Sequence, residues 1–102
     1  AVGVFAFTFE TRESGSKVHG RFFAPADGIP EDPATGSAAG SFSGYAVYHG
    51  AIEPGEFTIE QGDFMNRPSR IFSEVLGSQG AVEEVRIGGH SVVVSKGEFY
   101  LD

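Results

Sequence analysis

Cysteine is absent from the 102 residues of this chain. Disulfide bonds and thiolate chemistry are therefore excluded, and the absence is typical of proteins in a reducing compartment. Long apolar runs are absent as well, and no basic segment followed by an apolar stretch is found near residue 1. From these absences we expect a cytoplasmic protein that does not span a membrane.

Basic residues are scarce, with seven Lys and Arg against fourteen Asp and Glu and a net charge of −7. Neutralising nucleic-acid phosphates requires clustered positive charge, so we exclude a nucleic-acid interface. Two of the scattered arginines, Arg67 and Arg70, either contact an acidic substrate or, as is commoner, form surface ion pairs. The histidines His19, His49 and His90 lack the spacing of a metal site.

The chain does have enough apolar material for one small domain over residues 1–102, with 40% hydrophobic residues and ten phenylalanines. Aromatic and β-branched segments bounded by turn-forming residues predict strands at residues 1–10, 18–24, 56–61, 70–76, 81–87, 90–94 and 98–101. Polar or turn-forming residues predict loops at 11–17 and 25–30. The first strand is expected to be covered on both faces. Aromatic side chains expected in the core are Phe5, Phe7, Phe9, Phe22 and Phe23.

Sustained helical character is confined to one stretch, where Asp32 is a preferred N-cap and Pro33 suits the first helical turn. Gly36, Gly40 and Gly44 follow at intervals of four and leave one helical face nearly bare. Each interior glycine costs roughly 1 kcal/mol of helix propensity relative to alanine, so we expect that face to pack closely against strands or another helix. The helix carries almost no charge, which predicts burial on most sides. A sheet that covers one such helix must curl. We therefore predict an α+β fold with a strongly curved or barrel-like β-sheet wrapped around one central apolar helix.

The start of this helix is the candidate binding site. Thr35, Gly36 and Ser37 lie where a helix has unpaired N–H groups and partial positive charge, an arrangement that binds a carboxylate or phosphate. A purely structural alternative exists for each residue. Asp32 as a plain N-cap would stabilise the helix by about 1 kcal/mol, and serine is common in first turns.

Four stretches carry a family resemblance: RFFAP at residues 21–25, GIPEDPATGSA at 28–38, QGDFMNRPS at 61–69 and VRIGGH at 85–90. Together they resemble the PhzF-like phenazine-biosynthesis family, and the EDPATGSA block is the most specific of them. The resemblance covers nearly the whole chain. It corresponds to the C-terminal lobe of the family.

The resemblance implies one lobe of a diaminopimelate-epimerase-like fold, in which two similar lobes enclose the active site. It implies an isomerase that moves a proton on a small carboxylate without a metal or organic cofactor. Asp32 and Ser37 would be the catalytic contacts, and Thr35, Gly36 and Ala38 would bind the substrate. The general acid/base glutamate of the family lies in the N-terminal lobe, which has no counterpart here. Neighbouring Glu31 belongs to the family motif itself and is a poor replacement.

Two functional hypotheses follow. In the first, the chain is half of a PhzF-like isomerase that binds a small carboxylate and is inactive without a complementary N-terminal lobe. In the second, it is a stand-alone homodimeric binding or assembly module with no catalysis, in which a second copy replaces the missing lobe and covers an otherwise exposed interface.

Overall fold

The computed structural model describes residues 3–102. It contains one helix, α1, and six strands, with single 3₁₀ turns after β2 and β4 at Pro25–Asp27 and Asp63–Met65. The elements are β1 (Val4–Thr8), β2 (Val18–Ala24), β3 (Ile29–Asp32), α1 (Gly36–Tyr48), β4 (Gly55–Gln61), β5 (Ser69–Ser78) and β6 (Ala81–Gly88). The strands predicted at 18–24, 56–61, 70–76 and 81–87 are confirmed. Ala1 and Val2, in the first predicted strand, lie outside the described residues.

The strands form one mixed sheet in the order β1-β2-β4-β5-β6, and β3 pairs with the second half of β2. Only β2 and β4 run parallel among these pairs. The sheet curls into a half-barrel against α1, which packs on β5 and β6. The predicted α+β fold, a curved sheet around one helix, is confirmed.

The core lies between α1 and the inner face of the sheet. Alternation along the strands turns Ile59 of β4 and Ile71 of β5 inward, where they face each other in register. From the helix come residues spaced three and four apart, the period of one helical face. The buried helical residues are Ala39, Phe42, Ser43, Ala46 and Val47.

The glycine face of α1 lies against β6. A Cβ atom added at Gly40 would stand 3.5 Å from Cγ1 of Ile87, and one at Gly44 would stand 3.4 Å from Cγ2 of Val85. The glycine face therefore lies against a strand, as expected, but the packing leaves room for a methyl group at Gly40 and Gly44 and does not require glycine there.

The helix begins later than predicted. Asp32 is the last residue of β3, paired with Phe22 of β2, and Thr35 occupies the N-cap position. The N-cap assignment of Asp32 was therefore wrong, and so was the assignment of 25–30 wholly to a turn, since β3 begins at Ile29. The residue before a proline is disfavoured in the helical conformation, and pairing with β2 satisfies the extended backbone instead.

Burial was overestimated for the helix and for β1. An exposed stripe runs along α1 through Ser37, Ser41, Tyr45 and Tyr48. Strand β1 pairs with β2 alone and its outer side is open, so Phe7 is 46% exposed and Phe9, just beyond the strand, is 49% exposed. Phe5 packs against the core, while Phe22 and Phe23 are half-buried.

The segment after β6 is not strand. Residues 90–102 have no regular secondary structure and are exposed, so the strands predicted at 90–94 and 98–101 were wrong. Their apolar residues are almost fully solvated, with Val93 90% and Phe99 96% exposed. A β-rich composition forms strand only where a neighbouring edge pairs with it, and residues 90–102 pair with no strand of the described chain.

Candidate functional site

Strand pairing brings the ends of β3 and β4 together. Both lie along β2: β3 antiparallel, with Asp32 opposite Phe22, and β4 parallel, with Gln61 opposite Gly20. Because the two strands run towards each other on β2, their C-terminal ends meet. The side chain of Gln61 thereby reaches the segment that leads into α1.

A chain of hydrogen bonds joins these ends. The Nε2 of Gln61 donates to the main-chain oxygen of Asp32 at 2.8 Å and to Oγ1 of Thr35 at 3.0 Å. In turn, Oγ1 of Thr35 donates to Oδ2 of Asp32 at 2.6 Å. This last bond ends on a carboxylate and is therefore of the stronger, charge-assisted kind.

The first turn of α1 has no side-chain cap. Its first helical hydrogen bond runs from Ala39 N to the Thr35 carbonyl at 3.0 Å, which leaves the N–H groups of Gly36, Ser37 and Ala38 without helical partners. The Thr35 hydroxyl is occupied by Gln61 and Asp32 and does not cap them. Gly36 and Ser37 are exposed, so this positive end of the helix faces solvent.

All five predicted site residues therefore lie together at the start of α1. Thr35 is buried, Asp32 and Ala38 are half-buried, and Gly36 and Ser37 are exposed. The arrangement combines one carboxylate with three neighbouring N–H donors. It suits a ligand that carries both an anionic group and a hydrogen-bond donor.

An apolar hollow opens beside the helix start. It has a volume of about 410 Å³, and its walls include Ala38, Phe42, Tyr45, Phe7 and Phe22. Of the five predicted site residues, Ala38 lines this hollow. A larger cavity of about 580 Å³ lies over β4, β5 and β6, and none of its lining residues falls within 31–38.

Glu31 is engaged elsewhere. Its two carboxylate oxygens accept from Nε and Nη2 of Arg21 at 3.0 and 2.9 Å. These hydrogen bonds from the Arg21 guanidinium hold the pKa of Glu31 below its ordinary value of 4.5. A carboxylate tied to arginine is a weak general base, which agrees with the view of Glu31 as a poor replacement for a catalytic glutamate.

Three residues of the QGDFMNRPS stretch contact the candidate site, although the sequence analysis did not name them as site residues: Gln61, Gly62 and Ser69. The Ser69 hydroxyl lies 2.8 Å from the Pro33 oxygen and 3.1 Å from the Gln61 oxygen. Gly62, at φ +86°, lets the chain pass close to the Pro33 oxygen. The available signal was a glutamine followed by glycine at the end of an otherwise strand-like segment.

The two arginines differ in environment. Arg70 forms ion pairs with Asp63, Glu13 and Glu60, so the ion-pair interpretation is confirmed for it. Arg67 is exposed. Within residues 3–102, no group of three or more His, Asp or Glu is placed to hold a metal ion. In the same part of the chain, no helix has both the length and the apolar character needed to cross a membrane.

Comparison with known proteins places this geometry in context. The family model of phenazine biosynthesis-like proteins matches residues 1–97. An uncharacterised isomerase of Clostridium acetobutylicum is 38% identical, with 98% of this chain and 34% of that protein covered. The trans-2,3-dihydro-3-hydroxyanthranilate isomerase of Pseudomonas chlororaphis is 37% identical, over 86% of this chain and 32% of that enzyme.

A solved structure agrees. The PhzF-family phenazine biosynthesis protein of Bacillus anthracis superimposes with a TM-score of 0.72 at 27% identity, covering 85% of this chain and 31% of that one. This chain thus spans about a third of the length of the relatives it matches. Since the family model covers nearly all of it, the chain belongs to the family of phenazine biosynthesis-like proteins.

Proposed function

We propose that this chain is the carboxylate-binding half of a PhzF-like, cofactor-independent isomerase, equivalent to the C-terminal lobe of that family. The observation that carries the proposal is the uncapped start of α1 beside the Asp32 carboxylate. Exposed N–H groups at a positive helix end attract an anion, and the neighbouring carboxylate accepts a proton or a hydrogen bond.

In this proposal the residues divide the work by chemistry. The N–H groups of Gly36, Ser37 and Ala38, with the Ser37 hydroxyl, hold the ligand carboxylate. Thr35 orients Asp32, whose free oxygen accepts from an amino or hydroxyl group of the ligand or takes its proton. The Pseudomonas relative is named for a substrate that carries these groups, an anthranilate derivative with carboxylate, amino and hydroxyl substituents. Its ring would lie in the aromatic hollow.

Isomerisation needs a proton to leave one atom and another to arrive at a second atom, with a group placed for each. The described site offers Asp32 for one of these roles, and its neighbour Glu31 is held by Arg21. We infer that the second group comes from another polypeptide segment. Binding by this chain alone should then occur without turnover.

The binding step is tested with anthranilate titrated into the ¹⁵N-labelled chain, with aniline as the control that lacks the carboxylate. We expect amide shifts for Gly36, Ser37 and Ala38 with anthranilate alone. Ser37→Ala should weaken binding several-fold, whereas Ser95→Ala, in the exposed segment after β6, should not. Equal responses to aniline, or shifts confined to the cavity over β4, β5 and β6, would reject the proposal.

A second candidate function, a homodimeric binding or assembly module, is favoured by one observation. Phe7, Phe9, Tyr45 and Tyr48 expose aromatic surface along β1 and α1, the same side as the hollow. Surfaces of this kind are typical of protein contacts. In that case two copies would meet across this aromatic surface.

A further inference from the structure

Gln61 is a fully buried amide that is only half satisfied. Its side chain is 0% exposed at the end of β4. Nε2 makes two hydrogen bonds, to Asp32 and Thr35, while Oε1 has no partner within residues 3–102. Burying an unpaired amide oxygen costs free energy, so hydrophobic packing alone would favour an apolar residue here. A polar amide at this buried position therefore calls for a functional account, and the two hydrogen bonds of Nε2 supply it.

The orientation of this amide follows from its partners. The main-chain oxygen of Asp32 can only accept, so the group facing it at 2.8 Å must be the donor, Nε2. A flipped amide would set Oε1 against that carbonyl oxygen and lose the bond. Nε2 consequently also faces Thr35 Oγ1 at 3.0 Å.

This orientation determines what the Thr35 hydroxyl does. Nε2 of Gln61 has no lone pair for the hydroxyl proton, so Thr35 accepts from Gln61 and must direct its own proton elsewhere. The acceptor at 2.6 Å is Oδ2 of Asp32. Thr35 Oγ1 makes no cap hydrogen bond to the helix N–H groups. Oδ1 is left as the carboxylate oxygen for a ligand.

We propose that Gln61 is a positioning residue for Asp32, acting through the hydroxyl of Thr35. It fixes the carboxylate with Oδ2 bonded inward and Oδ1 left for the ligand. The inference rests on the proposed function in one respect, that Asp32 contacts the ligand. The hydrogen-bond relay from Gln61 through Thr35 to Asp32 is present in the chain without ligand.

The ligand arm of the test is a double-mutant cycle with Gln61→Met, which keeps side-chain length and removes the donor, and Thr35→Val. With the wild-type Thr35 present, Gln61→Met should weaken anthranilate binding about tenfold, which corresponds to the free energy of one hydrogen bond to a charged group. In the Thr35→Val background the same change should alter affinity less than about twofold, since the relay is already broken. Thr35→Ser keeps the hydroxyl and should bind anthranilate as tightly as the wild-type chain.

A purely structural role gives a different result. If Gln61 acted only on the backbone of Asp32 or on stability, Gln61→Met would weaken binding equally in both backgrounds, and that outcome would overturn the proposal. Circular dichroism spectra establish that each variant is folded. Should Gln61→Met not fold, the proposal is decided by the comparison of Thr35→Val with Thr35→Ser and by the hydroxyl resonance of Thr35 in the wild-type chain.

The ligand-free arm is the Thr35 hydroxyl proton, observed by NMR at low temperature. In the wild-type chain we expect a slowly exchanging hydroxyl resonance with a nuclear Overhauser effect to the Gln61 side-chain amide protons. Gln61→Met should accelerate its exchange at least tenfold. An unprotected hydroxyl in the wild type, or exchange unchanged by the substitution, would overturn the relay. Failure of anthranilate to bind the wild type would instead reject the proposed function.

Discussion

Glu60 is the most deeply buried carboxylate of the described chain, at 0% exposure. It accepts from the main-chain N–H of Arg12 at 2.5 Å and of Glu13 at 3.3 Å, and it contacts Nδ1 of His19 at 2.9 Å. Arg70 stands 3.8 Å away. These bonds attach the loop between β1 and β2 to β4, so a single carboxylate joins two distant parts of the chain.

Stability should depend on the ionisation of Glu60. Burial alone raises the pKa of this carboxyl, but hydrogen bonds from Arg12, His19, Ser16 and Glu13 outweigh it and lower the pKa below 4.5. A lowered pKa stabilises the folded state above pH 4.5, and this stabilisation is lost as the pH falls through the folded-state value. Glu60→Gln should therefore cost about 1.5–3 kcal/mol at pH 7 and progressively less below pH 4.

Urea unfolding of the wild type and of Glu60→Gln between pH 7 and pH 3 measures this difference. Glu56→Gln, at an exposed position of the same strand, is the control and should change little. A cost for Glu60→Gln that stays constant over the whole pH range would contradict the assignment.

Gly62 allows the closest backbone approach near the site. Its φ is +86°, and a Cβ there would lie 2.7 Å from the Pro33 oxygen. Gly62→Ala must therefore strain the backbone and displace the segment that contacts Pro33, at an expected cost of about 2 kcal/mol or more. Gly15→Ala, where a Cβ meets nothing within 4 Å, should be near neutral. Thermal unfolding compares the two variants, and equal midpoints would refute the expectation.

At the level of elements, the glycine face of α1 packs on β6 with room left for a methyl group. The Cβ of an alanine at Gly40 fits at 3.5 Å from Ile87, and alanine has the better helix propensity. Gly40→Ala should therefore stabilise the fold by up to about 1 kcal/mol. Gly40→Leu should destabilise it by about 1–3 kcal/mol, because the added atoms need the space that Ile87 occupies.

Chemical denaturation of both Gly40 variants gives the sign of each effect. If Gly40→Ala were clearly destabilising, the helix and β6 would have to be closer than the structure places them. Comparison of the two variants separates helix propensity, which favours both substitutions over glycine, from the space available at β6.

Elements were predictable where one pattern dominated. The strand at 70–76 was predicted from β-prone residues bounded by turn-forming ones. Its period of two appears only in the structure, where the buried residues are Ile71, Ser73 and Val75. Residues 90–102 carry equally β-prone residues but are exposed, because strand formation also requires a pairing edge. The start of α1 was misplaced because aspartate is a preferred helix cap, whereas pairing with Phe22 of β2 makes Asp32 the last residue of a strand.

For the whole molecule, the distribution of exposed aromatic surface bears on assembly. We predict a homodimer at low micromolar concentration, which light scattering measures as twice the 10.8 kDa chain mass. Phe7→Asp, on the exposed aromatic side, should shift the mass to that of a monomer. Val93→Asp, in the exposed segment after β6, serves as the control and should leave the dimer intact. A monomeric wild-type chain would contradict the prediction.

Catalysis is also a property of the whole molecule. Without a second acid/base group, this chain alone should incorporate no deuterium from D₂O at the carbon atoms of trans-2,3-dihydro-3-hydroxyanthranilate, the substrate named for its Pseudomonas relative. Mass spectrometry measures the incorporation, with Asp32→Asn as the control. Exchange that disappears in Asp32→Asn would show that this chain is a working catalyst.

The linear pattern alone determined the fold class and the single helix, because these depend on composition and short-range spacing. The candidate site from Asp32 to Ala38 came from the same pattern together with the family resemblance, and it stays a prediction. The tertiary structure decided which residues serve that segment. Gln61 lies 29 positions from Asp32, and the two meet only because β3 and β4 end against each other on β2. Strand order and register arise from packing of the whole chain, so no local pattern reveals a contact of this kind.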